Sequence, residues 1–457
     1  MLKLPPALMA ILISTCLGFL VVQLDVSVVN VGLGSLKQAF NSDLTGLQWV
    51  INSYALVFSA LLISGGALGD KYGAKAVYAS GFLIFILGSI GCGIASTMPV
   101  LILSRGIQGM GAALLVPTSL TLIRLTFTDP HTRRTAVAMW GACGGIALAA
   151  GPVLGGVLIQ AFGWRSVFLV NIPIGLIAMV LIMFNAPASP RVGKKVDAAG
   201  QFAMATGIAA LTCALTETSA QGWTMLPMTA LLITGMSFLT FAFIERKVSS
   251  PMLPSRLAGN KVLIAMCVSG AVINLVFYGT VFDLSIFFQT IKNLNAFQTG
   301  LSFIPLTAVL TLSTTVSARV ARKVSALRII TFGFSLQIMG FLLLSRLNTG
   351  SSFWLLNGAL MMVGTGSAAS VPSITNTMLS AVSQHDAGIS SGLMASARQL
   401  GGVIGVAIFG SLISHSDRMA FYEGMSSAML ISAGILFICI ITNLYMFRGA
   451  VEHSRPA

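Results

Sequence analysis

The amino-acid sequence predicts an all-α integral membrane protein, a bundle of fourteen transmembrane helices, and three observations carry that prediction. Of 457 residues, 56% are hydrophobic and only 8% charged, against about a quarter charged in ordinary soluble domains. Apolar runs of about 20 residues, the length that crosses a hydrocarbon core about 30 Å thick, recur from end to end. The basic residues gather in alternate short segments between those runs, as in a membrane protein of fixed orientation. A soluble fold is excluded, and no sizeable aqueous domain is expected.

The first span is expected over 7–29. Its apolar run continues past residue 20 into polar residues with no small-residue cleavage site, so it reads as a span and not as a signal peptide. Polar, Pro/Gly or charged breaks then separate spans at 47–69, 76–95, 99–123, 135–159 and 165–184. A middle pair is expected at 199–217 and 225–244. The last six are expected at 262–288, 298–318, 328–345, 353–377, 388–413 and 425–447. The corresponding organisation is an N-terminal six-helix bundle over 1–190, two additional helices over 191–260, and a C-terminal six-helix bundle over 261–457.

With the N-terminus inside, nineteen basic residues fall on inner segments, among them Lys3, Lys71, Lys75, Arg133, Arg134, Arg191, Lys194, Lys195, Arg319, Arg322, Lys323 and Arg455. Five fall on outer ones: Lys37, Arg165, Lys292, Arg346 and Arg418. That bias predicts both termini in the cytoplasm and an even number of spans in the plasma membrane. It also accounts for the net charge of +14 without nucleic acid. The six cysteines lie inside apolar stretches with no CxxC pair and no His at ligand spacing, which reads as packing and not as a metal site.

Two features suggest related halves. Asp25-Val26-Ser27-Val28 stands near the outer end of the first span, and Asp283-Leu284-Ser285-Ile286 near the outer end of the ninth, each in the first helix of its six-span block.

Three further segments carry a specific pattern. Gly66-Ala67-Leu68-Gly69-Asp70-Lys71-Tyr72-Gly73-Ala74-Lys75 joins the second and third spans, where glycines permit a tight turn and opposite charges can meet at helix ends. The fourth span holds Arg105-Gly106-Ile107-Gln108-Gly109-Met110-Gly111. The fifth holds Gly145 and then Gly151-Pro152-Val153-Leu154-Gly155-Gly156. Together these resemble the loop signature and the antiporter motif of the major facilitator superfamily.

Asp25 to Val31 with Asn30, Gln48-Trp49-Val50 with Tyr54, Gly163-Trp164-Arg165 through Phe168, Asn171, Pro173 and Gly175, and Ser396-Ala397-Arg398-Gln399-Leu400-Gly401-Gly402 resemble its fourteen-span drug:proton antiporter branch. The resemblance covers about residues 20 to 415. It implies two six-helix bundles around a central cavity, alternating access, and proton-driven export of amphipathic, cationic drugs or toxic compounds. It implies no cofactor beyond the proton gradient, with small molecules, protons and lipid as partners and a monomer as the working unit.

The chain departs from the family pattern at three places. Ala74 replaces a basic residue, Gly34 stands where proline is common, and Arg319-Val320-Ala321-Arg322-Lys323 in the second half lacks the glycines and the acid.

Depth along the helices selects the candidate residues. Asp25 lies nineteen residues after Pro6, about 28 Å along its helix, and an acid at such depth is functional by default. Arg105 lies six residues after Pro99, about 9 Å from the outer end, so the two can share a layer and form an ion pair. The resemblance ties Arg105 to proton coupling, and Asp25 is assigned the same role.

Asp283, ringed in sequence by Phe277, Phe282, Phe287 and Phe288, is the candidate for a lipophilic cation. Asn30, Phe282 and Arg398 complete the substrate-contacting set. Arg398, near the midplane, needs a partner such as backbone carbonyls, Gln399 or an acid. Gly66, Asp70, Lys71, Gly73, Gly151, Pro152, Gly155 and Gly156 are the candidates for conformational gating. Glu217 reads as a solvated loop residue.

The function classes divide accordingly. No GxxxxGK[ST] loop or HExxH pair is present, and His131, His385, His415 and His453 all fall near loops or termini, so ATP-driven pumping, metalloproteolysis and intramembrane histidine catalysis are not expected. No segment fits the signalling domain a sensor needs. A transporter of a specific metabolite remains the alternative to drug export, because the site and not the fold sets the substrate.

Overall fold

The computed structural model describes residues 5–189, 197–248, 255–310, 324–348, 351–383, 386–413 and 418–452, and among them every regular element is helical. The helices are α1 (Pro6–Val31), α2 (Leu33–Phe40), α3 (Leu44–Tyr72), α4 (Ala74–Ile94), α5 (Met98–Thr126), α6 (Pro130–Phe162), α7 (Ser166–Leu169), α8 (Asn171–Asn185), α9 (Ala198–Gln221) and α10 (Met225–Lys247). There follow α11 (Ser255–Ala258), α12 (Lys261–Ile286) with a π-turn over Phe287–Ile291, α13 (Ala296–Ser302), α14 (304–310), α15 (Ala326–Leu344), α16 (Phe353–Ser380), α17 (Ala387–Leu412) and α18 (Arg418–Glu452).

Among the described residues, helix therefore occurs at each place where a span is expected. Twelve helices among the described residues are long and apolar enough to cross a membrane. The other two expected spans differ for separate reasons. The span at 298–318 runs partly outside the described residues. Helix α16 is 28 residues long but is diluted by Asn357, Thr365, Ser367, Ser370, Ser373, Thr375 and Asn376. Glu217 lies within α9 and is half-buried, because that helix runs four residues beyond the expected end. The Arg319–Lys323 segment, His385, His415, His453 and the inner basic residues Lys3, Arg191, Lys194, Lys195 and Arg455 lie outside the described residues.

Helix starts follow from local chemistry. Asp43 accepts the Gly46 amide at 2.9 Å, and Asp129 accepts the Thr132 amide at 2.8 Å, so α3 and α6 begin where a carboxylate satisfies an orphan N–H. The Thr132 hydroxyl and amide together hold the Asp129 carboxyl below the ordinary carboxylate range.

The chain forms two compact units, one of Met1–Ala214, Met225–Met252 and Phe288–Leu301, the other of Leu215–Thr224, Leu253–Phe287 and Ser302–Ala457. In the first, α1 packs most extensively on α6, and α3 and α4 on α5. The packing is close because α5 carries glycines on opposite faces. A Cβ at Gly109 would stand 2.4 Å from the Tyr54 carbonyl of α3, and one at Gly111 2.6 Å from the Phe85 amide of α4. Small residues at such crossings gain van der Waals contact where lipid supplies no hydrophobic drive.

Helix α9 is tied to α3 by Gln201, which donates to the Ala60 carbonyl and accepts from the Ser64 hydroxyl. In the second unit α12 packs on α17, and α15 on α16 and α18. The Asn260 side chain caps α12 and donates to the Ala381 carbonyl at 2.7 Å, while Arg256 pairs with Asp386. Large apolar side chains such as Leu103, Phe184, Phe202 and Leu239 point outward, as a lipid solvent requires.

Candidate functional site

The first unit encloses a charged cluster. Asp25 on α1 and Arg105 on α5 are each only 1% exposed and form an ion pair. Asp25 Oδ1 accepts from Asn171 Nδ2 of α8 at 2.9 Å and from Gln108 Nε2 at 3.2 Å. Arg105 also donates to the Val50 carbonyl at 3.1 Å and to Gln108 Oε1 at 2.8 Å. Its guanidinium carbon lies 4.4 Å from the centre of the Tyr54 ring and 5.8 Å from that of Phe168.

Gln108 uses its whole amide. Besides those contacts it donates to Ser89 Oγ at 2.8 Å and accepts from the Cys92 thiol at 3.2 Å. Buried charges persist in an apolar interior only when paired and hydrogen-bonded, and this network meets that condition with groups from five helices, α1, α3, α4, α5 and α8. One atom is left over: Asn171 Oδ1 is buried with no hydrogen-bond partner among the described residues.

The expected shared layer of Asp25 and Arg105 is thus a direct contact. Gln108, Asn171 and Tyr54 belong to the quoted motifs but were not assigned to the site from sequence. Gln108 stands three residues from Arg105, hence on the same helix face, which is a signal the spacing carries.

Asn30 takes a different place. Its Nδ2 donates to the Val26 carbonyl of its own helix at 2.9 Å, and the residue is buried.

The glycine run of α6 brings that helix onto two neighbours. Pro152 has no N–H, so the Leu148 carbonyl four residues earlier loses its helical partner, and the Ser27 hydroxyl of α1 donates to it at 2.9 Å. Gly151 lies against Ser27 and Gly155 against Val28, while a Cβ at Gly156 would stand 2.7 Å from the Phe297 Cα of α13. At the loop signature, Gly73 has φ +96° and donates to the Gly69 carbonyl at 3.0 Å, ending α3 and turning directly into α4. Asp70 is half-buried in the last turn of α3, Lys71 is exposed with its ammonium 5.2 Å from the Tyr72 ring centre, and Ala74 is buried. Gly66 makes only ordinary contact with Pro117, and the tight approach is made by Gly65 against the Ala113 carbonyl that Pro117 leaves without a helical partner.

Gly34 is explained in the same way. Its amide donates to Gln289 Oε1 at 2.7 Å, a bond that proline could not make.

In the second unit Asp283 is 0% exposed, and neither carboxyl oxygen has a hydrogen-bond partner among the described residues. Its helix neighbours show what it faces: Gly279 lies against Phe409 of α17, Thr280 against Met429 of α18, and Phe287 against Phe421 and Tyr422. Phe282 is also fully buried. Both residues assigned to a lipophilic cation, Asp283 and Phe282, are thus packed away from solvent in this structure. Arg398 is half-buried, and its partner is Asn274 Oδ1 of α12 at 3.3 Å, not Gln399 or an acid.

Residues 15–406 match the family model described as Major Facilitator Superfamily. The chain is 31% identical to the methylenomycin A resistance protein of Bacillus subtilis (strain 168), over 92% of this chain and 90% of that one. It is 32% identical to the multidrug resistance protein Stp of Mycobacterium tuberculosis (strain CDC 1551 / Oshkosh), over 88% and 75%. Among solved structures, the in meso crystal structure of the POT family transporter PepTSo matches with a TM-score of 0.73 at 13% identity, covering 98% of both chains, a likeness of fold alone.

Proposed function

We propose that this chain, which belongs to the Major Facilitator Superfamily, is a secondary transporter that exports amphipathic small molecules in exchange for protons by alternating access. The observation that carries the coupling is the sealed Asp25–Arg105 pair with its amide partners. Relatives named for resistance to methylenomycin A and to multiple drugs support export over uptake.

Ionised, Asp25 is held by Arg105, Gln108 and Asn171. Protonated, it no longer holds the guanidinium. Arg105 then keeps the Val50 carbonyl, Gln108 Oε1 and the Tyr54 ring. Asn171, rotated about its terminal bond, turns its unpaired oxygen to receive the new Asp25 hydroxyl. Both protonation states thus have partners, and the switch between them repacks α1, α5 and α8. The tight α6 contacts at Gly151 and Gly155 keep α1 seated on α6 while it shifts, and the one at Gly156 keeps α13 on the same helix. A cationic preference would need a carboxylate within reach, and Asp283 is fully buried. The proton gradient supplies the energy, without a cofactor.

Purified protein in liposomes tests the reading. An imposed pH gradient is expected to drive accumulation of amphipathic compounds, with matching proton flux that an ionophore abolishes. Accumulation indifferent to the gradient would overturn it, and transport confined to one metabolite would favour the alternative of a dedicated transporter.

The fourteen-span topology in the plasma membrane, with both termini cytoplasmic, rests on the basic-residue bias. Single cysteines placed near Lys194 and Lys292 in a cysteine-free background are expected to react with impermeant reagent only from the inside and only from the outside respectively. The reverse pattern would reject the orientation.

A further inference from the structure

We propose that Arg398, Asn274 and Tyr278 form a binding site for the carboxylate of the transported compound, so that anionic amphipaths are a preferred substrate class. The inference rests on the reading of the chain as a small-molecule transporter.

Arg398 is the twelfth of the 26 residues of α17, hence near the middle of a span, about 17 Å from the helix start. It is half-buried and forms no ion pair among the described residues. An arginine at that depth cannot leave a charged head group facing hydrocarbon, because desolvation is costly. The exposed part therefore meets water or a ligand.

Its surroundings are shaped to hold it. A Cβ at Gly270 would stand 3.0 Å from Arg398 Cγ, so the arginine stem lies flat on α12. One turn along α17, a Cβ at Gly402 would stand 2.9 Å from the Tyr278 ring, so that ring lies flat on α17. Asn274, between Gly270 and Tyr278 on the same face of α12, accepts from Arg398 Nε at 3.3 Å. That bond uses the Asn274 oxygen and turns its NH2 group into a spare donor. The Tyr278 hydroxyl likewise has no partner among the described residues.

The cluster thus offers the outer edge of a guanidinium, an amide NH2 and a phenol, with no acid among the described residues to receive them. An excess of convergent donors around a fixed positive charge is the complement of an anion. A planar carboxylate fits the guanidinium edge bidentately, and the rings of Phe277 and Tyr278, in edge contact at 5.5 Å, supply apolar surface for the rest of an amphipath. Asp283 does not compete. It lies nine residues along α12 from Asn274, on the face turned to Phe409 and Met429.

Equilibrium binding of tritiated 2-naphthoate and of its uncharged methyl ester to the purified full chain, at neutral pH and without a gradient, tests the proposal. Wild type is expected to bind the carboxylate more tightly than the ester. Arg398→Gln is expected to weaken carboxylate binding by about 10–100-fold, the loss of a charged hydrogen-bonded contact, with the ester unchanged. Arg398→Lys keeps charge without the fork and should fall between, and Tyr278→Phe should give a smaller selective loss.

Equal affinity of wild type for both probes, or equal loss of both in Arg398→Gln, would overturn the site. Should Arg398→Gln fail to run as a single species on gel filtration, Arg398→Lys and Tyr278→Phe decide, and no selective loss in either overturns it as well. Selective binding that persists where liposome transport ignores the pH gradient would remove the antiport reading and leave this one standing.

Discussion

Asp25→Asn is expected to reduce gradient-driven export to the background of empty liposomes while the protein still folds and inserts. The amide keeps the size of the carboxyl and can still accept from Arg105, and Asn171 can rotate to offer its unpaired oxygen where it now offers nitrogen, while Gln108 keeps its bond from Arg105. What the amide cannot do is take up and release a proton. Stability should fall by about 1–3 kcal/mol, the range for weakening a hydrogen bond to a charged partner.

Asp25→Glu, which titrates but reaches one methylene further, should keep partial activity. The informative comparison is between export against a gradient and downhill exchange of substrate across the same membrane. Loss of the first with survival of the second assigns Asp25 to coupling. Wild-type export by Asp25→Asn at equal protein level would remove it from the mechanism, and loss of both modes together with early thermal unfolding would make it structural.

Arg105→Leu should have the larger effect on stability. It leaves Asp25 in a sealed apolar site with only amide donors, and breaking a buried ion pair from one side costs about 3–5 kcal/mol. The decisive result is non-additivity: Asp25→Asn combined with Arg105→Leu should unfold at a higher temperature than Arg105→Leu alone, because the second change removes the stranded charge. Transport should stay absent in all three variants. A double variant no more stable than Arg105→Leu would show that the arginine matters for its stacking on Tyr54 and its bond to the Val50 carbonyl, not for the charge it neutralises. Arg105→Lys separates charge from shape, since an ammonium cannot reach Asp25, Gln108 and Val50 together.

The sequence carries depth well and azimuth poorly. A helix converts residue number into distance along the membrane normal, so counting from Pro6 and Pro99 alone sets Asp25 and Arg105 in one layer. Which side of a helix faces a neighbour depends on packing, and in helices that are apolar all round no amphipathic stripe reports it. Asp283 shows the cost: its aromatic neighbours in sequence suggested an open cavity, but the face it occupies is the one turned into α17 and α18. Arg398 shows the same gap, because Asn274 is one of several scattered polar residues of α12, with nothing in its spacing to link it to a residue 124 positions away. Proline was more informative. Pro152 removes the helical partner of the Leu148 carbonyl four residues earlier, so a donor was required there, and Ser27 supplies it.

The bond from the Gly34 amide to Gln289 has a consequence for how the family diverges. The two positions are 255 residues apart, yet this bond makes them a single heritable choice. A lineage with proline at the first position has no N–H to offer, and an amide side chain at the second then loses this reason to be kept. A lineage that gains the glutamine acquires a selective penalty against proline, and one against any residue larger than glycine, since a Cβ there would stand 2.3 Å from the glutamine oxygen. The pair should therefore drift as a unit, passing through the glycine state before the glutamine is fixed, so that ancestral reconstructions along this branch should find glycine paired with other residues at 289 but proline with glutamine almost never.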